Sequence, residues 1–184
     1  MNLQKNWQNN SKENNTQTKV TTLLFIIYLI ALVWILLFKL GVRFSYMGER
    51  NVNFIPFRES FSNGKIDAGE IILNVVIFVP LGIYAGVLFR RWTFVTELFL
   101  FFFLSSIFEV LQFTLRVGAF DITDIITNTF GGMVGLVIFQ AFEKIFNNSI
   151  KAQKMINIIT AIGTVLMISL LLLLKMNMLP IKYQ

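Results

Sequence analysis

Two residue types that carry much of protein chemistry are missing from this sequence, which contains no cysteine and no histidine. Without cysteine, the chain cannot form disulfides, use a thiol nucleophile or bind a metal through sulfur. Without histidine, it lacks the usual general base at neutral pH and the commonest metal ligand. An enzyme built on this chain would have to use carboxylates, hydroxyl groups, lysine or arginine. We therefore expect no metal ion, no cofactor and no catalytic site of a familiar kind.

Charge is also scarce, since 14% of the residues are charged and 55% are hydrophobic. The mean hydropathy of +0.68 is typical of an integral membrane protein. The formal net charge of +6 comes from lysines and arginines that are scattered and flank the apolar stretches. That placement favours control of membrane topology and attraction to anionic lipid. It does not form the single basic face of a nucleic-acid-binding protein, so we expect no nucleic-acid partner.

Five apolar stretches are predicted to be transmembrane helices, because about 20 residues of helix cross a hydrocarbon core of roughly 30 Å. They cover residues 20–38, 71–89, 94–115, 122–142 and 155–174. The sequence thus predicts an all-α integral membrane protein with one membrane domain over residues 20–174. The first stretch lies far from the N-terminus without a cleavage site after it, which indicates an anchor instead of a cleaved signal peptide.

Polar segments flank this predicted membrane domain. Residues 1–19 lack any apolar period, so we expect a disordered cytoplasmic tail there, and residues 175–184 form a short tail. Residues 39–70, between the first two predicted helices, contain nine charged residues, of which five are basic and four are acidic. Within them, the stretch NVNFIPFRESF (51–61) mixes phenylalanine with polar residues around Pro56. It is either an interfacial amphipathic loop, with Phe54, Phe57 and Phe61 at the headgroup boundary, or an ordinary loop.

The orientation is weakly determined by charge. With the N-terminus inside, eight lysines and arginines lie on each side of the membrane. The long first loop mixes its bases with four acids, whereas Arg90 and Arg91 form a compact basic pair in a short loop. The positive-inside rule applies best to such short loops. We therefore predict a cytoplasmic N-terminus, with the 39–70 loop and the 116–121 turn outside.

A strongly polar stretch, EVLQFTLRVGAFDITDIITNTFGG (109–132), interrupts the apolar sequence. It contains two sets of polar residues with the spacing of three and four that places side chains on one helix face. The first set is Glu109, Gln112 and Arg116, and the second is Asp121, Asp124 and Asn128. The short connection between them predicts a helical hairpin that pairs Arg116 with Asp121, Gln112 with Asp124, and Glu109 with Asn128.

The energetic cost of this polarity indicates that at least part of it has a use. An ionised side chain at the bilayer centre costs about 2.5–3.5 kcal/mol on insertion scales, and Glu109 is the deepest of the set. Structural alternatives remain open for its neighbours. The position of Asp121 suits a helix cap, and that of Asp124 suits the positive end of a helix dipole. Asn128 suits a hydrogen bond between helices, and Gly131-x-x-x-Gly135 suits close helix packing.

Several short motifs follow one another in a fixed order over residues 51–140. They are Asn53-x-x-Pro56-Phe57, Asn74-x-x-x-Phe78-x-Pro80-Leu81-Gly82, Glu109-x-x-Gln112, Phe120-Asp121-Ile122-x-Asp124, Asn128-Thr129, Gly131 and Gly135. In this order and spacing they resemble the VanZ-like family. The resemblance implies a bacterial membrane protein that lowers susceptibility to teicoplanin, a lipoglycopeptide that binds peptidoglycan precursors outside the membrane.

The favoured hypothesis is a binding protein with an outward-facing polar cleft. Asn53, Arg58 and Arg116 would meet phosphate or amide groups of a lipid-linked precursor or of the lipoglycopeptide. Glu109, Asp121 and Asp124 would organise the cleft or meet basic groups, and the remaining candidate cleft residues are Asn74, Gln112 and Asn128. The candidate structural residues are Pro56, Phe57, Pro80, Gly82, Gly131 and Gly135.

Two other functions stay open. An intramembrane enzyme could use two or three carboxylates as general acid and base, or to hold Mg²⁺ through oxygen, although Ser105 and Ser106 lack a histidine partner. A small transporter would fit a deep Glu109 and a helix kinked at Pro80, but the sequence shows no inverted repeat. Partners are the lipid bilayer and, under the favoured hypothesis, the lipid-linked precursor or drug. The sequence is also compatible with a homo-oligomer.

Overall fold

The computed structural model describes residues 2–38, 52–57, 68–146 and 149–175. They form five helices and two short strands. In chain order these are α1 (Asn2–Phe38), β1 (Val52–Asn53), α2 (Ala68–Leu88), α3 (Phe94–Leu115), β2 (Phe120–Asp121), α4 (Ile122–Phe146) and α5 (Ser149–Lys175). The predicted all-α membrane fold is confirmed, and the two-residue strands are its exception among the described residues.

Four of the described helices are long and apolar enough to cross a membrane. The candidate spans are Lys12–Leu36, Ile71–Leu88, Phe94–Leu115 and Ile122–Phe146. Phe99, Phe103 and Val137 are among many large apolar side chains that stay exposed on these helices, as expected for surfaces that face lipid. The fifth predicted stretch, 155–174, lies in α5 and is helical. Its crossing of the membrane stays a prediction.

The N-terminal region differs from the predicted disordered tail, because residues 2–19 are helical and continue directly into the apolar part of α1. Polar side chains of this region meet α5. Glu13 Oε1 accepts a bond of 2.7 Å from Lys154 Nζ, and Gln17 Oε1 accepts one of 3.1 Å from Asn157 Nδ2. A polar segment with no apolar period can be ordered when a distant helix supplies partners, which the local sequence does not reveal.

A buried polar contact fixes α5 against α1. The hydroxyl of Thr21, which is fully buried, donates to Asn157 Oδ1 at 2.8 Å and accepts from Gln153 Nε2 at 2.9 Å. Between helices in lipid, where apolar burial gives no driving force, such hydrogen bonds contribute to association. The amide side chains at the start of α5 therefore serve attachment to α1.

Glycines bring α2 and α4 into backbone contact. A Cβ at Gly82 would collide with the carbonyl oxygen of Gly132. At Gly131 it would meet the Val75 carbonyl oxygen, and at Gly135 that of Val79. Small residues allow this close approach between membrane helices. The Gly131-x-x-x-Gly135 face is thus occupied by α2 of the same chain and is not free to bind a second copy.

The core lies among α1, α2, α3 and α4. Its buried members include Leu32, Phe78, Leu81, Phe101 and Leu136.

The turn of α2 before Pro80 receives a bond from α1. The proline has no N–H to donate to the carbonyl four residues earlier, which weakens the helical hydrogen bonding in this turn. The buried Tyr28 hydroxyl donates to the neighbouring Ile77 carbonyl at 2.8 Å. The carbonyl that loses its helical donor is that of Val76, so the bond from Tyr28 ties α1 to the same turn of α2 and does not replace the missing one.

Candidate functional site

The two strands join the loop after α1 to the turn between α3 and α4. They pair in parallel, with Val52 opposite Phe120 and Asn53 opposite Asp121. We call residues 52–57 the β1 segment. The same end of the bundle also contains the last turn of α1, the α3–α4 turn and the start of α4, and we call it the hairpin end. Three parts of the chain that are distant in sequence meet there.

Asp121 is the residue that connects most of these parts. Its Oδ1 accepts the Thr123 N–H at 2.7 Å, so it caps the N-terminus of α4. Its Oδ2 accepts from Asn53 Nδ2 at 3.2 Å, and its own N–H donates to Glu109 Oε2 at 3.0 Å. One aspartate therefore links β1, α3 and α4, in addition to the capping role that the sequence left open.

The β1 segment is fastened to α4 at a second point. The Phe57 N–H donates to Thr123 Oγ1 at 2.9 Å, and the buried Asn53 accepts the Ile55 N–H through Oδ1 at 3.2 Å. Phe57 has a φ of 62°, a left-handed conformation that costs a side-chain-bearing residue about 1–2 kcal/mol. The bond to Thr123 helps to hold this conformation, and the turn at Pro56 leads into it.

Fastened in this way, the β1 segment exposes an apolar surface. Val52, Phe54 and Ile55 are 44%, 69% and 56% exposed. The Phe54 ring also contacts Phe120, with 5.7 Å between the ring centroids and planes tilted by 52°. The predicted interfacial residue Phe61 and the candidate ligand residue Arg58 lie outside the described residues.

Glu109 and Asn128 are both buried, but they do not form the predicted pair. Glu109 is 2% exposed and accepts the Asp121 N–H. Asn128 Nδ2 donates instead to Ser105 Oγ, one helical turn deeper on α3, at 2.9 Å. The offset arises because residues 117–121 include a strand and do not form a tight helical hairpin.

Gln112 is likewise buried and away from its predicted partner Asp124. Its Nε2 donates to the Leu36 carbonyl at 2.6 Å. Leu36 lies in the last turn of α1, whose carbonyls lack partners within the helix. Gln112 therefore caps α1 from α3. The carbonyl oxygens of the Gln112 and Asn128 side chains are buried without a hydrogen-bond partner among the described residues.

Asp124 and Asn74 form a half-buried polar pair between α4 and α2. Asn74 Nδ2 donates to Asp124 Oδ1 at 2.7 Å. Arg116, in contrast, ends α3 in a left-handed conformation with a φ of 58° and is exposed. Within the described part of the chain it forms no ion pair with Asp121, so the predicted Arg116–Asp121 pair is wrong.

Each of the three carboxylates at this end accepts a hydrogen bond from an amide N–H. The donors belong to the backbone of Asp121 and Thr123 and to the side chains of Asn53 and Asn74. Over the ranges that the structure describes, no group of three or more acidic side chains could hold a metal ion. The arrangement positions the β1 segment and leaves the Asn74–Asp124 pair partly accessible.

Sequence reasoning missed two members of this network. Thr123 lies inside the Asp-Ile-Thr-Asp sequence, in which the capping pattern indicates only Asp121 and Asp124. A hydroxyl at a helix start nevertheless commonly bonds a nearby N–H. Ser105 lies four residues before Glu109, on the same helix face. That spacing extends the polar stripe of α3 by one turn and would have indicated the pairing with Asn128.

Known proteins are similar to this chain across the whole site. The family model described as VanZ/LLP1 matches residues 25–147. Protein VanZ from Enterococcus faecium is 36% identical over 152 residues, which cover 80% of this chain and 88% of that protein. No solved structure matches the chain. Every hydrogen bond of the hairpin end described above, from Leu36 to Asn128, falls inside the matched range.

Proposed function

The chain belongs to the VanZ/LLP1 family, and from this premise we propose that it lowers the susceptibility of a bacterium to lipoglycopeptide antibiotics such as teicoplanin. Its helices suit a multi-pass protein of the cell membrane. The protein acts, in this proposal, by binding a lipid-linked cell-wall precursor or the drug itself at the hairpin end.

The observation that carries the proposal is the fastening of an exposed apolar segment beside polar groups. The β1 segment presents Val52, Phe54 and Ile55 and is bonded to the start of α4 through Asp121 and Thr123. A lipid-linked precursor and a lipoglycopeptide share one property: each joins a polar head to an acyl or isoprenoid chain. A surface that combines apolar and polar groups at the membrane boundary suits such a molecule.

The candidate residues divide into two groups under this proposal. Glu109, Gln112 and Asn128 are buried and bonded inside the protein, so they position the site without touching a ligand. Asp124 and Asn74 are half-buried, and they would meet amide or cationic groups of the ligand. The exposed Arg116, and Arg58 outside the described residues, are the proposed contacts for phosphate.

We further propose that the N-terminus is cytoplasmic and that the hairpin end faces the cell exterior. The opposite end of the bundle carries Arg90, Arg91 and Lys144 in or beside short connections, where the positive-inside rule is most reliable. An exterior hairpin end also places the β1 segment in the compartment where teicoplanin and its precursor target meet.

A carboxylate-dependent enzyme is less well supported by this geometry. Asp121 and Asp124 accept hydrogen bonds from amide donors, and Asp121 has a sufficient role as a cap and strand link. Turnover of a lipid-linked precursor by the purified protein, lost in Asp124→Asn, would favour the enzyme over the binding protein.

The test compares teicoplanin with vancomycin susceptibility in a deletion strain and in the same strain carrying wild type or variants. Wild type is expected to raise the inhibitory concentration of teicoplanin alone, because vancomycin lacks the acyl chain. Asp124→Asn keeps an oxygen for the Asn74 amide but removes the negative charge that would meet a cationic group of the ligand, so it is expected to remove most of the protection. Glu109→Gln, which keeps an acceptor for the Asp121 N–H, is expected to retain more of it.

Membrane levels of each variant are matched by immunoblot, so that a loss of protection reports the site and not the amount of protein. Protection that persists in Asp124→Ala and Glu109→Ala at equal protein levels would contradict a role for the hairpin end. A wild type that gives no protection at all would contradict the proposed phenotype.

A further inference from the structure

The end of the bundle opposite the hairpin end forms a second surface. The α2–α3 turn, the last turns of α4 and the start of α5 meet there, joined by the buried side chains of Val87, Phe139 and Ile156. Residues 12–21 of α1 lie beside them, since Thr21 bonds Asn157 and Glu13 bonds Lys154. We call this surface the turn end.

The charged side chains that the structure describes at the turn end are predominantly basic. Seven are cationic and three are acidic. The cations are Lys12, Lys19, Arg90, Arg91, Lys144, Lys151 and Lys154, and the acids are Glu13, Glu97 and Glu143. Two of the acids are already engaged, Glu13 with Lys154 at 2.7 Å and Glu143 with Arg90 at 2.9 Å. Four of the cations, Lys12, Lys19, Arg91 and Lys144, form no ion pair with a described residue.

The two adjacent arginines of the α2–α3 turn have different environments. The Arg90 guanidinium bonds Glu143 and lies 5.6 Å from the centroid of the Phe139 ring, so it is held against α4. Arg91 is exposed and forms no ion pair with a described residue. Arg90 thus contributes to the packing of α2 on α4, whereas the Arg91 side chain is exposed at the surface.

Trp92 places this turn at the boundary between lipid and water. It is 43% exposed and stacks on Phe89, with 4.3 Å between ring centroids and 15° between planes. Tryptophan at the end of a membrane helix is typically at the level of the headgroups. The neighbouring Phe94 is also exposed, as expected next to lipid. Arg91, the residue before Trp92, is therefore expected at the depth of the lipid phosphates.

Two lysines have a position similar to that of Arg91. Lys19 directly precedes the apolar part of α1, and Lys144 is two residues from the end of α4. Both are exposed, and neither forms an ion pair with another described residue. Three cations on three different helices or turns thus surround the turn end at the membrane boundary.

We propose that the turn end binds the headgroups of anionic phospholipids through Lys19, Arg91 and Lys144, with Trp92 fixing its depth. The lysines and the arginine supply the charge that attracts an anionic membrane surface. The exposed aromatic and apolar residues beside them favour a lipid over a soluble anion. This surface lies at the other end of the molecule from the β1 segment, so the proposal stands independently of the proposed function.

The test measures thermal unfolding of the purified full chain in neutral detergent with added lipid. Phosphatidylglycerol is expected to raise Tm by about 5 °C, and phosphatidylcholine with the same acyl chains is expected to have no such effect. The combined variant Lys19→Gln, Arg91→Gln and Lys144→Gln is expected to lose at least half of that increment, and Arg91→Gln alone part of it.

Two controls separate binding from stability. Arg90→Gln breaks the bond to Glu143, so it is expected to lower Tm without lipid but to keep the increment. Lys154→Gln removes a cation of the turn end that is already paired with Glu13 and is expected to keep most of the increment too. An equal shift with phosphatidylcholine, an equal shift with soluble glycerol phosphate, or a full increment in Arg91→Gln and in the combined variant would each overturn the proposal.

Discussion

Gly135→Val is expected to separate α2 from α4 and to destabilise the protein strongly. A Cβ at this position would collide with the Val79 carbonyl oxygen and would lie 2.9 Å from the Cα of Gly82. Both are backbone atoms, so no side-chain rotation can relieve the contact and the helices must separate. We expect a loss of about 3 kcal/mol or more, measured as a fall in Tm and in the yield of monodisperse protein in detergent.

Gly163→Ala is the matched control for this variant. It also adds a Cβ to a helical glycine, but nothing lies within 4 Å of that atom. Alanine is the better helix former by roughly 0.5–1 kcal/mol, so Tm is expected to stay the same or to rise slightly. Normal yield and an unchanged Tm in Gly135→Val would contradict the close contact between α2 and α4.

Asp121→Ala is expected to release the β1 segment and to remove teicoplanin protection. The variant loses the cap of α4, which is worth about 1 kcal/mol, and it leaves Asn53 Nδ2 without its partner. We expect the amide hydrogens of Ile55 and Phe57 to exchange about tenfold faster, in line with roughly 1.4 kcal/mol of lost local stability. Hydrogen-exchange mass spectrometry of the purified protein measures this change.

Two further substitutions show whether the effect of Asp121→Ala comes from the link between β1 and α4. Asp121→Asn keeps an oxygen for the Thr123 N–H but turns an amide group toward the Asn53 donor, so an intermediate exchange rate is expected. Thr114→Val removes an exposed hydroxyl that bonds only its own helix, and no change is expected. Unchanged exchange at Ile55 and Phe57 in Asp121→Ala would show that the aspartate does not hold the segment.

The helices of the membrane domain were predictable from the sequence because each must satisfy its own backbone in lipid. The prediction for the third helix, 94–115, agrees with α3 at Phe94–Leu115, and the prediction of 71–89 for the second lies close to Ala68–Leu88. Charge and turn residues mark these ends clearly. The fourth helix continues to Phe146, four residues beyond the prediction, because Glu143 and Lys144 extend it into the boundary region.

The pairing at the hairpin end was not predictable from helical spacing alone. Spacing correctly put Glu109 and Gln112 on one face of α3, but it assumed that their partners were the side chains of α4. The actual partners are the backbone N–H of Asp121 and the carbonyl of Leu36. Backbone groups become acceptors or donors only where a helix ends, and those ends depend on the tertiary fold.

The two strands could not be predicted from the local sequence either. Each has two residues, too few for an alternating pattern, and the parallel pairing of Asn53 with Asp121 joins positions 68 residues apart. The motifs that resemble the family include both residues, but the spacing of residues along the chain does not predict that they are in contact. The resemblance thus identified members of the site, and the structure supplied the contacts between them.

The most direct test of the account is the side of the membrane on which the β1 segment lies. Because the chain has no cysteine, a single substitution gives one labelling site without background. Phe54→Cys in intact cells is expected to react with a membrane-impermeant maleimide, whereas Arg91→Cys is expected to react only after permeabilisation. The reverse pattern would place the hairpin end in the cytoplasm, away from teicoplanin, and would contradict the account.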